Sequence, residues 1–197
     1  MTPKTSRIVT VIAAFIGGLV LFSAAIFMFA GRLPTPVSAP AIGGAFRLVD
    51  QNGQVVTQDA LKGKPSLMFF GFTHCPDVCP TALFEMTQVY KALGSDGDKV
   101  QAYFVSVDPE RDTPDILKEY LSSFDPRLRG LTGDPAAVAA IEKAYRVYSK
   151  KVPLEGGGYT MDHTATVYLM DKQGRFVAPF NLKRKPEDAA ADLKRHL

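Results

Sequence analysis

The sequence predicts an α/β domain, a mixed central sheet with helices on both faces, preceded by one N-terminal transmembrane helix. Three observations predict it. Strand-like apolar runs alternate with helix-period segments from residue 46 onward, a hairpin and a helix close the chain, and an uncharged apolar run stands near its start. Of 197 residues, 46% are hydrophobic and 10% aromatic, a composition that supports a packed core and argues against a disordered chain.

Residues 8–30 carry no charge. At 1.5 Å per residue they reach about 34 Å, against a hydrocarbon core of roughly 30 Å. The apolar core of a secretory signal is shorter, roughly 7–15 residues. The cleavage-like pattern Val37-Ser38-Ala39 is followed by Pro40, a poor residue after a scissile bond. The segment is therefore expected to remain as an anchor. Lys4 and Arg7 precede it and only Arg32 follows closely, so the positive-inside rule keeps residues 1–7 in the cytoplasm and sends the rest across. In a bacterium this means a cytoplasmic (inner) membrane protein with its C-terminal domain in the periplasm. Residues 31–44, with three prolines, read as an extended tether, and 45–197 as the domain.

Within the domain, residues 46–49 and 54–56 flank Asp50-Gln51-Asn52-Gly53, and Asn-Gly is a strong hairpin signal. The continuous apolar run 66–72 suits a strand buried on both faces. After Thr73-His74-Cys75-Pro76-Asp77-Val78-Cys79-Pro80, a helix is expected from about Pro76, with Ala82, Leu83, Met86, Val89, Tyr90 and Leu93 on one face and Gly94 as its stop. Residues 100–107 read as a second central strand. Thr113 and Pro114 open a helix, 129–132 form a short strand, and Asp134-Pro135 opens the next helix. Residues 166–180 form a late hairpin, and 186–196 an amphipathic closing helix.

Charge removes one class of function. Three of the 23 basic residues lie before residue 33, so the 20 that remain equal the 20 acidic ones. A neutral domain without a basic stripe gives no electrostatic footprint for nucleic acid.

The chain has two cysteines, four positions apart, too few for a disulfide framework. Cys75 stands near a helix N-terminus, where unpaired N–H groups favour a thiolate. With the helix starting at Pro76, Cys79 falls one turn on, and the pair is close enough either to oxidise reversibly or to clamp a metal. Pro76 and Asp77 place both on an exposed turn, against two inert core cysteines. Three residues between them, rather than the two of thioredoxin-type redox motifs, favour the clamp. Three histidines are available. His196 reads as a solvated helix end, and His74 as polar rim or a weak modulator. His163, just before an expected strand, is either a structural loop histidine or the third donor. Two thiolates and one imidazole suit Cu(I), and zinc is chemically possible. Asp162 could orient the imidazole or cap a turn. Asp108 and Asp112 read first as turn and cap residues, with shaping of a docking surface as the alternative.

Phe70-Gly71-Phe72-Thr73-His74-Cys75-Pro76-Asp77-Val78-Cys79-Pro80, Ser106-Val107-Asp108-Pro109-Glu110-Arg111-Asp112-Thr113-Pro114 and Asp162-His163-Thr164 resemble the Sco/SenC family in order and spacing. The resemblance runs over about residues 41–196, and the anchor matches too. It implies a thioredoxin-like fold in which Cys75, Cys79 and His163 bind a copper ion, Cu(I) or Cu(II), with His163 where thioredoxins carry a cis-proline. It also implies a part in assembling the copper A centre of cytochrome c oxidase subunit II. A copper donor or a thiol reductant in the same compartment would be a further partner. A metallochaperone is then the leading expectation. A periplasmic thiol–disulfide oxidoreductase, with Cys75 and Cys79 as the redox pair, is the alternative. A peroxidase is weaker, because no motif singles out an arginine partner for a reactive cysteine.

Overall fold

The computed structural model describes residues 3–30 and 42–197, with side chains of the first helix from 12 to 28. The chain divides into two compact units, Met1–Pro40 and Ala41–Leu197. In the first, α1 (Pro3–Ala30) covers the apolar run. Among the described residues no helix is long and apolar enough to cross a membrane. Residues 1–2 of the expected cytoplasmic end and 31–41 of the expected tether lie outside the described residues.

The second unit is built on a seven-stranded sheet. β1 (Arg47–Asp50) and β2 (Val55–Thr57) form the expected hairpin. Asp50 Oδ1 accepts the N–H groups of Asn52 and Gln54, and Gly53 takes a φ of 76° that its lack of a Cβ permits. β3 (Ser66–Gly71) is buried at every position, as the unbroken apolar run requires of a strand covered on both faces. Beside it lie β4 (Gln101–Ser106) and then β5 (Leu128–Thr132), all three parallel. Beyond β5, β1 joins antiparallel; beyond β3, β8 (Val167–Met170) and β9 (Phe176–Pro179) do the same. The order is β2-β1-β5-β4-β3-β8-β9, the mixed sheet that the sequence predicts.

Parallel neighbours need crossover helices. α2 (Val78–Leu93) links β3 to β4 and buries Ala82, Leu83, Met86, Val89, Tyr90 and Leu93, the apolar stripe of the sequence. α3 (Pro114–Leu121) links β4 to β5, with the Thr113 hydroxyl accepting the Ile116 N–H. α4 (Pro135–Tyr145) starts with Asp134 accepting the Ala137 N–H, and α5 (Pro186–Lys194) packs along α2.

Two features differ from the expectation. α2 begins at Val78, not Pro76, because the chain first turns back through a Cys75 N–H to Phe72 carbonyl bond of 3.2 Å. Between α4 and β8, where no strand was expected, β6 (Ser149–Pro153) and β7 (Tyr159–His163) pair antiparallel as a separate two-stranded ribbon.

Candidate metal centre

The site forms where three chain segments meet. β3 ends at Gly71, the turn after it carries Cys75, and the first turn of α2 carries Cys79. The Cys75 sulfur accepts the Cys79 N–H at 3.4 Å, so it fills the capping role that Asp77, which makes no side-chain cap, leaves open. The pair is therefore joined by a sulfur-capped turn, not by two positions on one helix face. His163 closes the trio from the C-terminal end of β7.

One ligand atom each from Cys75, Cys79 and His163 lies within 4.8 Å of the other two. His163 Nε2 stands 3.6 Å from Cys79 Sγ. Three donors at metal bonds of about 2.0–2.3 Å, arranged around one three-coordinate ion, stand roughly 3.6–4.0 Å apart. The trio therefore needs only small shifts to share an ion. His163 Nδ1 is 3.1 Å from the Thr164 carbonyl, which accepts its proton and leaves the Nε2 lone pair facing the sulfur. Burial pulls the imidazole below its ordinary 6.5, against the opposing pull of the Thr164 carbonyl and Asp162. A neutral imidazole is the form that binds a metal. The Phe72 ring meets the imidazole edge-on, with centroids 5.6 Å apart.

Both cysteines are reduced and buried, Cys75 9% exposed and Cys79 0%. The turn itself is exposed at Pro76 and Asp77, as expected, but it turns both cysteines inward. Gly71 explains it: a Cβ there would lie 2.7 Å from Cys79 Sγ, so the bare glycine makes the space that the sulfur occupies. Burial pushes the Cys79 thiol well up; a Phe72 backbone hydrogen bond opposes this, and Cys75 and Asp112 add to it.

Of the other histidines, His74 is exposed, its Nδ1 3.1 Å from Thr73 Oγ1, and His196 lies in the last turn; neither joins the trio. Asp162 is exposed, and the orienting role considered for it belongs to the Thr164 carbonyl. Thr113 caps α3 as expected, but Asp108 and Asp112 do more than shape a turn. Asp112 is wholly buried and accepts from Ser106 Oγ at 2.6 Å, Thr73 Oγ1 at 2.6 Å and Thr73 N–H at 3.2 Å, fixing the turn that bears Cys75. Burial raises its carboxyl, against those hydrogen bonds. Asp108 accepts the Tyr159 hydroxyl at 2.8 Å and pairs with Arg111. Gly71, Thr164, Arg111 and Tyr159 are contributors that the sequence reading did not single out as site residues. Gly71, Arg111 and Thr164 stood inside the motifs that carried the resemblance.

A family model described as SCO1/SenC matches residues 34–197. The SCO2-like protein of Rickettsia felis is 39% identical over 155 residues, which are 78% of this chain and 76% of that protein. The solved structure of Bradyrhizobium japonicum ScoI with copper bound is 68% identical at a TM-score of 0.78, covering 80% of this chain and 100% of that one. BsSco, whose structure is described as identifying a disulfide switch in a member of the Sco family of cytochrome c oxidase assembly proteins, is 26% identical at a TM-score of 0.61. That match covers 81% of this chain and 96% of BsSco. Together with the mixed sheet, these likenesses fit a thioredoxin-like fold.

Proposed function

The chain belongs to the SCO1/SenC family, and from that footing we propose that it is a copper metallochaperone serving cytochrome c oxidase assembly. The observation that carries the reading is the Cys75, Cys79 and His163 trio, with all three ligand atoms within 4.8 Å. Two sulfurs and one imidazole form a donor set suited to Cu(I), and the 68% identical relative is described as copper-bound. Copper is cargo here. Three donors hold it while leaving its coordination open, so an incoming ligand from a recipient binds before the chaperone's own ligands depart. Association by ligand exchange avoids releasing a free ion.

The finer reading follows the sequence. Residues 8–30 anchor the chain in the cytoplasmic membrane, Lys4 and Arg7 stay inside, and the domain works in the periplasm. There it receives copper from a donor protein and passes it to the copper A centre of oxidase subunit II. A second reading has one specific support: BsSco is described as having a disulfide switch. In that reading the thiolate of Cys75, the less buried cysteine, attacks the recipient's disulfide. Cys79 resolves the mixed disulfide to leave a Cys75–Cys79 disulfide and two reduced recipient thiols, and a thiol reductant in the same compartment restores the pair.

The test is copper titration of the reduced full chain, wild type and His163→Ala. The expected result is one copper per chain, with Cu(II) affinity at least about tenfold weaker in the variant, the scale of losing one charge-assisted or coordinating contact. A variant with wild-type Cu(II) affinity and spectrum counts against the chaperone. A strongly reducing thiol pair that turns over a disulfide-bonded recipient without copper favours the second reading.

A further inference from the structure

The ribbon of β6 and β7 carries His163 yet pairs with no strand of the seven-stranded sheet. Something other than a β-ladder must set the imidazole's place. Its contacts with the loop after β4 gather at Tyr159, the first residue of β7, four residues from His163, its last. Met161 between them is buried in the core, and Ser149, opposite His163, hydrogen-bonds Glu142 of α4. The Tyr159 hydroxyl donates to Asp108 Oδ1 at 2.8 Å, and Arg111 Nη1 donates to the Tyr159 carbonyl at 2.9 Å. Arg111 Nε also donates to Asp108, and its guanidinium lies over the Tyr159 ring at 3.8 Å from the centroid. Across the ribbon, Lys151 pairs with Glu110 at 2.5 Å and covers the same ring at 4.6 Å. Asp108 is 1% exposed, stands two residues beyond the end of β4 and donates its N–H to Ser106 Oγ at 3.0 Å, so the clasp is fixed to a central strand of the sheet.

We infer that Arg111 and Tyr159 are positioning residues: with Asp108 they form a clasp that holds the β6–β7 ribbon, and therefore His163, against the two thiols. The inference rests on the reading of the trio as a copper site. A five-residue strand is a stiff lever, with about 13 Å between its end Cα atoms, so tilting it at Tyr159 moves the imidazole at the far end. The same guanidinium lies 5.9 Å from the Phe72 ring centroid, whose ring meets the imidazole. The clasp thus braces the imidazole along the strand and through Phe72. Arg111 Nη2 is buried without a hydrogen-bond partner, so the grip is weaker than a fully paired fork would give. Closed, the clasp keeps three ligands on the metal. Open, it leaves two thiolates, from which copper departs more readily.

Two measurements on the full chain test this. In the reduced, metal-free protein, Arg111→Gln speeds amide hydrogen exchange across 149–163 by about tenfold, with β3 and β4 amides unchanged. Tyr159→Phe, which loses only the hydroxyl bond, gives a smaller acceleration of about threefold and serves if Arg111→Gln does not fold. With Cu(I) bound, transfer to a competing chelator quickens about tenfold in Arg111→Gln. In a His163→Ala background the same substitution adds nothing. Ribbon exchange at the wild-type rate in both variants overturns the inference, as does copper release quickened as much without His163 as with it. A wild-type chain that takes up no copper defeats the chaperone reading instead, and the exchange measurement still judges the clasp.

Discussion

Gly71→Ala tests whether the bare backbone at the end of β3 makes the room that the Cys79 sulfur needs. A Cβ at this position would lie 2.7 Å from Cys79 Sγ and 2.7 Å from Phe104 Cε2. Carbon contacts relax at about 3.5–4.0 Å, so each neighbour must retreat by about 1 Å. Gly71 is in register with Ser106 on β4, which leaves its backbone little freedom, and Phe104 is completely buried. Overpacking of this kind costs about 1–3 kcal/mol, which in a domain of this size lowers the melting temperature by roughly 2–12 °C. The sulfur lies on the first turn of α2 and is the partner freer to move. Its displacement opens the 3.6 Å approach to His163 Nε2. The assay pairs thermal unfolding with copper titration, and the expected outcome is both a lower melting point and copper affinity down by about tenfold. Wild-type melting would refute the steric argument. A lower melting point with wild-type copper affinity would refute the claim that the sulfur is what moves.

Two further outcomes follow from the protonation of the site. Burial keeps the Cys79 thiol protonated at neutral pH, so copper uptake at pH 7 releases at least one proton per ion, read with an indicator in weak buffer; uptake without proton release would mean the thiolate is already formed. His163 has a folded pKa below 6.5, so the unfolded chain takes up its proton first as pH falls. Stability of the metal-free protein is therefore full above that value and declines as pH drops through it toward the folded pKa. His163→Gln removes this part of the slope in denaturant melts at pH 7.5 and 5.0, and an unchanged slope would show the imidazole is not desolvated.

Much of this architecture was legible because local chemistry and tertiary demand agree. The Asn52-Gly53 turn, the unbroken apolar run of β3, and Thr113 and Asp134 as caps each fix an element from a few neighbouring residues. The ribbon of β6 and β7 was not legible. Ser149–Pro153 is mostly exposed, carries two lysines and ends in proline, and it pairs only with β7, so no alternating apolar pattern marks it. The available signal was Gly156-Gly157-Gly158, each with positive φ, a tip that only glycine adopts freely between two extended segments. The trio was legible by family resemblance more than by physics. Cys75 and Cys79 are neighbours along the chain, but nothing local brings a histidine 84 residues beyond Cys79 to its sulfur. Asp162 looked like the natural partner for the imidazole because it is adjacent, yet alternation along β7 turns it outward to solvent while a backbone carbonyl takes the proton.

The division of the ligands between a packed interior and an outlying ribbon separates two design problems that most metal sites must solve together. The strands and helices that seat the sulfurs answer to core volume, where a single methyl group matters. The ribbon answers to its clasp, its turn and the one side chain, Met161, that β7 buries in the core. Substitutions along its outer positions, or a changed tip between Pro153 and Tyr159, can therefore retune how quickly metal is surrendered without reopening the question of whether the domain folds.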